Sequence, residues 1–184
     1  MDVTLTPLPG VVILKPMRLQ DRRGFFCETY SKRRLAEAGL DVGFVQDNLS
    51  HSTPRGTLRG LHFQHQPCAQ VKLVSVVSGA VRDVVVDLRQ SSPTFGRHLA
   101  VLLSAEEGSQ IFVPVGFAHG FLTLEPNTVL SYKVSAYYSP LHDSGIRFDD
   151  PLLGVDWACD LNSVITSERD QQLSPFDPKA RYFP

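Results

Sequence analysis

Val71-Lys-Leu-Val-Ser-Val-Val-Ser-Gly-Ala-Val-Arg-Asp-Val-Val-Val-Asp-Leu88 consists of two valine- and leucine-rich runs around Ser78-Gly79-Ala80. β-Branched side chains pack well on a pleated surface, and a glycine-centred triplet between two such runs predicts a hairpin turn. Strands are therefore expected at Val71 to Val77 and Val81 to Leu88. Outward from this pair, Thr57 to Gln64, Gly96 to Leu103, Gln110 to Pro114, Gly120 to Leu124 and Thr128 to Ser135 carry the same signal. Nearer the N-terminus, Val11 to Leu14, Phe25 to Tyr30 and Phe44 to Ser50 read as strands bounded by turn residues. One short helix fits Lys32 to Ala38, with Ser31 as N-cap and Gly39 just beyond its end. A second begins near Ser167, because Ser167-Glu-Arg-Asp170 has capping-box spacing. The final third, from Pro140, is richer in Pro, Asp and Gly and is expected to wrap the strands. Many short strands and little helix predict a mainly β fold, a double-sheet jelly roll with a few short helices.

At 184 residues the chain suits one domain, residues 1–184, with a substantial core. Apolar residues make up 42% and charged residues 20%, with a formal net charge of −1, so no nucleic-acid or membrane partner is implied. Any bound anion must be held by a few local cations. Met1 to Gly10 lacks a basic segment followed by an apolar run, and a cytoplasmic location is expected. Cys27, Cys68 and Cys159 are too scattered for a disulfide framework or a zinc knuckle and read as free thiols.

Gly56-Thr-Leu-Arg-Gly-Leu-His-Phe-Gln64 and Pro114-Val-Gly-Phe-Ala-His119 resemble the two sequence motifs of the cupin superfamily, whose members are jelly rolls. Many cupins bind a metal through two His spaced by one residue, a nearby Glu, and a later His. Here Gln64 replaces the second His, and no Glu lies between Glu37 and Glu106. His62 and His119 alone are too few for the usual three protein ligands, so no metal is expected. An imidazole, with an ordinary pKa of about 6.5, can instead take and return a proton near neutral pH. The alternative is a His that is only a hydrogen-bonded part of the core. Strict alternation would place Arg59 and His62 on opposite faces of a strand. Gly60, between them, predicts a bulge that re-aims one of the two.

Longer blocks carry a more specific resemblance. Asp21-Arg-Arg-Gly-Phe-Phe-Cys-Glu28, Phe44-Val-Gln-Asp-Asn-Leu-Ser50, Leu58-Arg-Gly-Leu-His-Phe-Gln64, Gln70-Val-Lys-Leu-Val74 and Asp83-Val-Val-Val-Asp-Leu-Arg89 occur in order. Ser92-Pro-Thr-Phe-Gly96, Val113-Pro-Val-Gly-Phe-Ala-His-Gly-Phe121, Ser131-Tyr-Lys133 and Tyr137-Tyr-Ser-Pro140 follow. From about residue 5 to residue 170 this run resembles the dTDP-4-dehydrorhamnose 3,5-epimerase family. Only the last dozen residues lack a counterpart.

The resemblance implies a cofactor-free isomerase acting on a dTDP-linked 4-keto-6-deoxyhexose. Carbons 3 and 5 flank the C4 ketone, so either can lose a proton to give an enolate and regain it on the opposite face. By the same resemblance His62 is the base, Asp170 its partner, Tyr132 the acid on the far face, and Lys72 the cation at the ketone oxygen. Arg23, Phe26, Glu28, Gln46, Asn48, Arg59, His119 and Tyr138 match substrate-binding positions. Asp143 falls near a family Glu, and Arg169 stands where Lys is common. A homodimer, in which N-terminal residues of one chain help build the other's pocket, is also implied. Asp170 keeps two readings, since its carboxylate can face His62 or close the capping box. A mono-epimerase inverting one carbon and a non-catalytic sugar-nucleotide-binding cupin are the alternative functions.

Overall fold

The computed structural model describes residues 1–183. Among these residues thirteen strands are formed: β1 (Asp2–Leu5), β2 (Val12–Lys15), β3 (Arg18–Asp21), β4 (Gly24–Cys27), β5 (Gln46–Ser52), β6 (Leu58–Gln64) and β7 (Lys72–Ser78) come first. They are followed by β8 (Ala80–Asp87), β9 (His98–Ser104), β10 (Gln110–Val113), β11 (Phe117–Thr123), β12 (Thr128–Val134) and β13 (Asp143–Gly145). Two short helices, α1 (Lys32–Glu37) and α2 (Glu168–Gln171), complete the set with one 3-10 turn at Leu161–Ser163. Antiparallel pairing gives a six-stranded sheet, β1-β2-β10-β7-β12-β5, facing a five-stranded sheet, β13-β6-β11-β8-β9. The arrangement is a jelly roll of the cupin type, and β3 with β4 forms a separate hairpin.

Alternation along each strand explains the layers. On β8, Val81 and Val85 enter the space between the sheets, where they meet Val74, Val76, Ile111, Phe117 and Leu130. Val84 and Val86 point the other way, into a second core with Leu58, Leu61 and Phe63. That outer core is roofed by the final third of the chain through Ile146, Phe148, Leu153, Trp157, Phe176 and Phe183, so the expected wrapping is present. A third cluster forms on the outer side of the six-stranded sheet, where Leu35 of α1 covers Val12, Leu14, Leu73 and Phe112.

Two expectations differ from the structure. Ser78-Gly79-Ala80 is not a hairpin turn, because β7 pairs with β10 and β12 whereas β8 pairs with β9 and β11. The chain crosses there from one sheet to the other. A glycine-centred turn fixes local direction only, and valine-rich strands on facing sheets look the same as valine-rich partners in a hairpin. The strand expected at Phe25 to Tyr30 is instead β4, which ends at Cys27 and pairs with β3 across the Asp21-to-Gly24 turn. Its side chains gain little burial, so no hydrophobic pattern marked its extent.

Candidate active site

The pocket is set by an irregularity in β6. Against β11, His62 stands opposite His119 and Arg59 opposite Phe121, so three steps on β6 match two on β11. The expected bulge at Gly60 is therefore present, with φ at +126°, a conformation side chains rarely tolerate. The extra residue turns Leu58, Leu61 and Phe63 into the outer core while Arg59 and His62 both line the space between the sheets.

A cavity of about 490 Å³ opens there, lined by Arg59, His62, Lys72, His119, Phe121, Tyr132, Arg169 and Asp170 among others. An adjoining cavity of about 380 Å³ shares His62, Lys72, Tyr132 and Arg169 and adds Gln46, Asn48, Gln64, Tyr138 and Asp143. Together they bring eleven residues of the sequence reading to one place.

His62 Nε2 lies 2.7 Å from Asp170 Oδ1, and the Gly60 amide donates to Asp170 Oδ2 at 3.2 Å. Ser167 Oγ meanwhile accepts from the Asp170 amide at 3.1 Å. The Asp170 carboxylate thus faces the imidazole and does not close the capping box, of which only the Ser167 half, capping α2, is formed. Burial pushes the Asp170 carboxyl up, but the hydrogen bond and charge of His62, with the Gly60 amide, hold it below the usual range. It is 3% exposed.

Lys72 extends from β7, and its Nζ lies 3.5 Å from the His62 carbonyl. Burial lowers its ammonium to about 8, against the opposing pull of Asp143 and Asp83. Tyr132 on β12 is half-buried, and burial raises its phenol above the ordinary value although Arg59 pulls the other way. The site therefore holds an imidazole–carboxylate pair, a phenol that stays protonated, and an ammonium on its wall. Among the described residues no group of three or more His, Cys, Asp or Glu converges as a metal site.

At the mouth, Asp143 Oδ2 accepts from Tyr138 Oη at 2.9 Å and from Arg169 at 2.6 Å. Gln46 joins Asn48 at 2.8 Å and accepts from the Tyr138 amide. Gln64, read only as a missing metal ligand, grips the backbone of this loop: it donates to the carbonyls of Cys68 and Tyr137 and accepts from the Ser139 amide. His119 is buried, its Nε2 2.8 Å from Asp83 Oδ2. Asp83 is the site residue that sequence reading missed. Its signal was an acid at even spacing between Val81 and Val85, the inward positions of β8.

Arg23, Phe26 and Glu28 line neither of these cavities. Arg23 is paired with Asp21 in the β3–β4 turn, Phe26 is 68% exposed, and Glu28 lies 3.0 Å from Arg34.

Residues 5–177 match the family model for dTDP-4-dehydrorhamnose 3,5-epimerase. A relative of that name from Sinorhizobium fredii is 48% identical over 87% of this chain and 82% of its own. The crystal structure of the Bacillus anthracis enzyme, solved with TDP and pyrophosphate, superposes with a TM-score of 0.92 at 46% identity, covering 95% of this chain and 99% of that one. The Legionella pneumophila epimerase, solved with dTDP-4-keto-L-rhamnose, gives 0.90 at 41% identity over 95% and 92% of the two chains. With the family model matched over residues 5–177 and the pocket geometry in place, the chain belongs to the dTDP-4-dehydrorhamnose 3,5-epimerase family.

Proposed function

We propose that this chain converts dTDP-4-keto-6-deoxy-D-glucose to dTDP-4-keto-L-rhamnose by inverting carbons 3 and 5, a step of dTDP-L-rhamnose synthesis. The observation that carries the reading is the 2.7 Å contact between His62 Nε2 and Asp170 Oδ1 on the wall of a cavity that also holds Lys72 and Tyr132. His62 removes the proton beside the ketone, and Asp170 fixes the ring and stabilises the imidazolium that forms. The Lys72 ammonium meets the C4 oxygen. It stabilises the enolate more than the ketone, and so speeds the reaction rather than merely binding. Tyr132 returns a proton to the other face. Inversion needs two groups on opposite sides of the ring, and His62 and Tyr132 come from strands of opposite sheets.

The nucleotide lies toward the second cavity, where Gln46, Asn48 and Tyr138 offer polar and flat contacts to the base. Arg59 and Arg169 supply planar forks for the diphosphate. His119 lines the sugar pocket, and Asp143 orients Arg169 and Tyr138. The working form is a homodimer in the cytoplasm, without metal or redox cofactor. Arg23, Phe26 and Glu28 serve the partner's pocket, which accords with the exposed Leu19, Phe25 and Phe26 of the β3–β4 hairpin.

The reading is tested by incubating the protein with the 4-keto-6-deoxyglucose nucleotide in deuterated water and locating the label. Deuterium at both C3 and C5 is expected. Label at one carbon makes the chain a mono-epimerase, and no label leaves only a binding role.

A further inference from the structure

The strands carrying the two pocket histidines touch backbone to backbone at a pair of glycines. A methyl group on Gly60 would lie 2.5 Å from Gly120 Cα and 2.9 Å from the His119 carbonyl oxygen. One on Gly120 would lie 2.7 Å from the Arg59 carbonyl oxygen and 3.1 Å from Gly60 Cα. These neighbours are main-chain atoms, which cannot rotate away as a side chain can. The crossing coincides with the register shift that sends Arg59 and His62 to the same face.

The bulge has a second effect. The Gly60 amide points out of the β6–β11 pairing and donates to Asp170 Oδ2 at 3.2 Å, while Asp170 Oδ1 meets His62 Nε2 at 2.7 Å. Two groups two residues apart on one strand thus hold the two oxygens of a single carboxylate. The carboxylate plane is fixed, and one oxygen only is presented to the imidazole.

We propose that Gly60 and Gly120 are positioning residues for the base: their close crossing aims His62 and frees the Gly60 amide to hold its carboxylate partner. The inference rests on the reading of His62 as base. Gly120 is the better probe of the two, because its own backbone conformation is open to any residue and only the contact opposes a side chain. Gly120→Ala must separate the strands, which draws the Gly60 amide away from Asp170 and turns His62.

The test compares Gly120→Ala, Asp170→Asn and the double variant with the wild-type protein. A displacement of this kind costs about 100-fold in kcat while binding is spared, so KM and dTDP affinity stay within about threefold. Because the effect runs through the coupled His62–Asp170 pair, the double variant loses clearly less than the two single losses combined. Losses that add, or a loss confined to KM, overturn the proposal, as does a kcat that stays near wild type. If Gly120→Ala does not fold, the Gly60 amide decides the matter by NMR in the wild-type protein and Asp170→Asn. Slow exchange with solvent and a resonance displaced by Asp170→Asn are expected; fast exchange and an unmoved resonance reject the proposal. His62→Ala separates the two readings, since epimerisation surviving there removes the base assignment without touching the amide result.

Discussion

Lys72 stands beside Val71, Leu73 and Val74, and burial brings its ammonium to about 8 despite Asp143 and Asp83. As pH rises through that value the cation proposed to meet the enolate oxygen is lost, so kcat/KM should fall on the alkaline side with a midpoint near 8. Tyr132 does not set this limb, because burial raises its phenol further from neutrality. Lys72→Arg keeps a guanidinium that stays charged well beyond the lysine range, and its residual activity should persist to higher pH. A pH profile with the same alkaline midpoint in both proteins would assign the limb to another group. His62→Ala should abolish deuterium uptake at both carbons while dTDP still binds, as read by calorimetry. In Tyr132→Phe, uptake should outlast net inversion, since abstraction does not need the far-face acid; inversion at the wild-type rate would show that another group delivers the proton. His62, Lys72 and Tyr132 were legible in the sequence because each stands in a distinctive block. The acid behind His119 was not, because Asp83 comes from a different strand and only the β8–β11 pairing brings the two together.

Among the elements, α2 is too short to be stable by itself and owes its place to its contacts. Ser167 satisfies the Asp170 amide, and Asp170 reaches back to β6 through His62 and Gly60. Ser167→Ala should destabilise the protein by about 1 kcal/mol and lower kcat more than it raises KM. Denaturant titration and steady-state kinetics measure the two effects, and an unchanged kcat would mean that α2 keeps its seat without the cap. The depressed carboxyl of Asp170 also contributes stability. That contribution is present above its ordinary unfolded value of about 3.9 and is lost as pH falls through the lower native one. Asp170→Asn should therefore flatten the acid side of the stability profile; an equally steep fall below pH about 4 would place that linkage elsewhere. The β6 bulge could be foreseen, because Gly60 separates two polar residues whose parity conflicts with a shared pocket. The crossing at Ser78-Gly79-Ala80 could not. Turn composition dictates a bend, and the choice of pairing partner is made by β10, β11 and β12, all distant in the sequence.

For the molecule as a whole, the facing sheets and the wrapped outer core account for most of the buried apolar residues, and no helix of the described residues is long and apolar enough to cross a membrane. The tail beyond α2 had no legible role in the sequence, yet Phe176 and Phe183 complete the core behind β6. The site itself is divided differently from the sequence. Arg23 and Phe26 sit on an exposed hairpin that joins neither cavity of its own chain, while the matching pocket lies between the sheets. If the hairpin serves a partner's pocket, each site in a dimer draws His62 from one chain and Arg23 from the other. His62→Ala and Arg23→Glu should each be nearly inactive alone, the first for lack of a base and the second because a carboxylate faces the diphosphate. Co-expressed with separable tags, half of their dimers are mixed, and each mixed dimer has one site carrying both defects and one carrying neither. Activity should recover to about a quarter of wild type, as two-fold symmetry requires of a site shared between chains. No recovery in a purified mixed dimer would place Arg23 and His62 in the same chain's site, and a monomer by sedimentation would remove the shared site altogether.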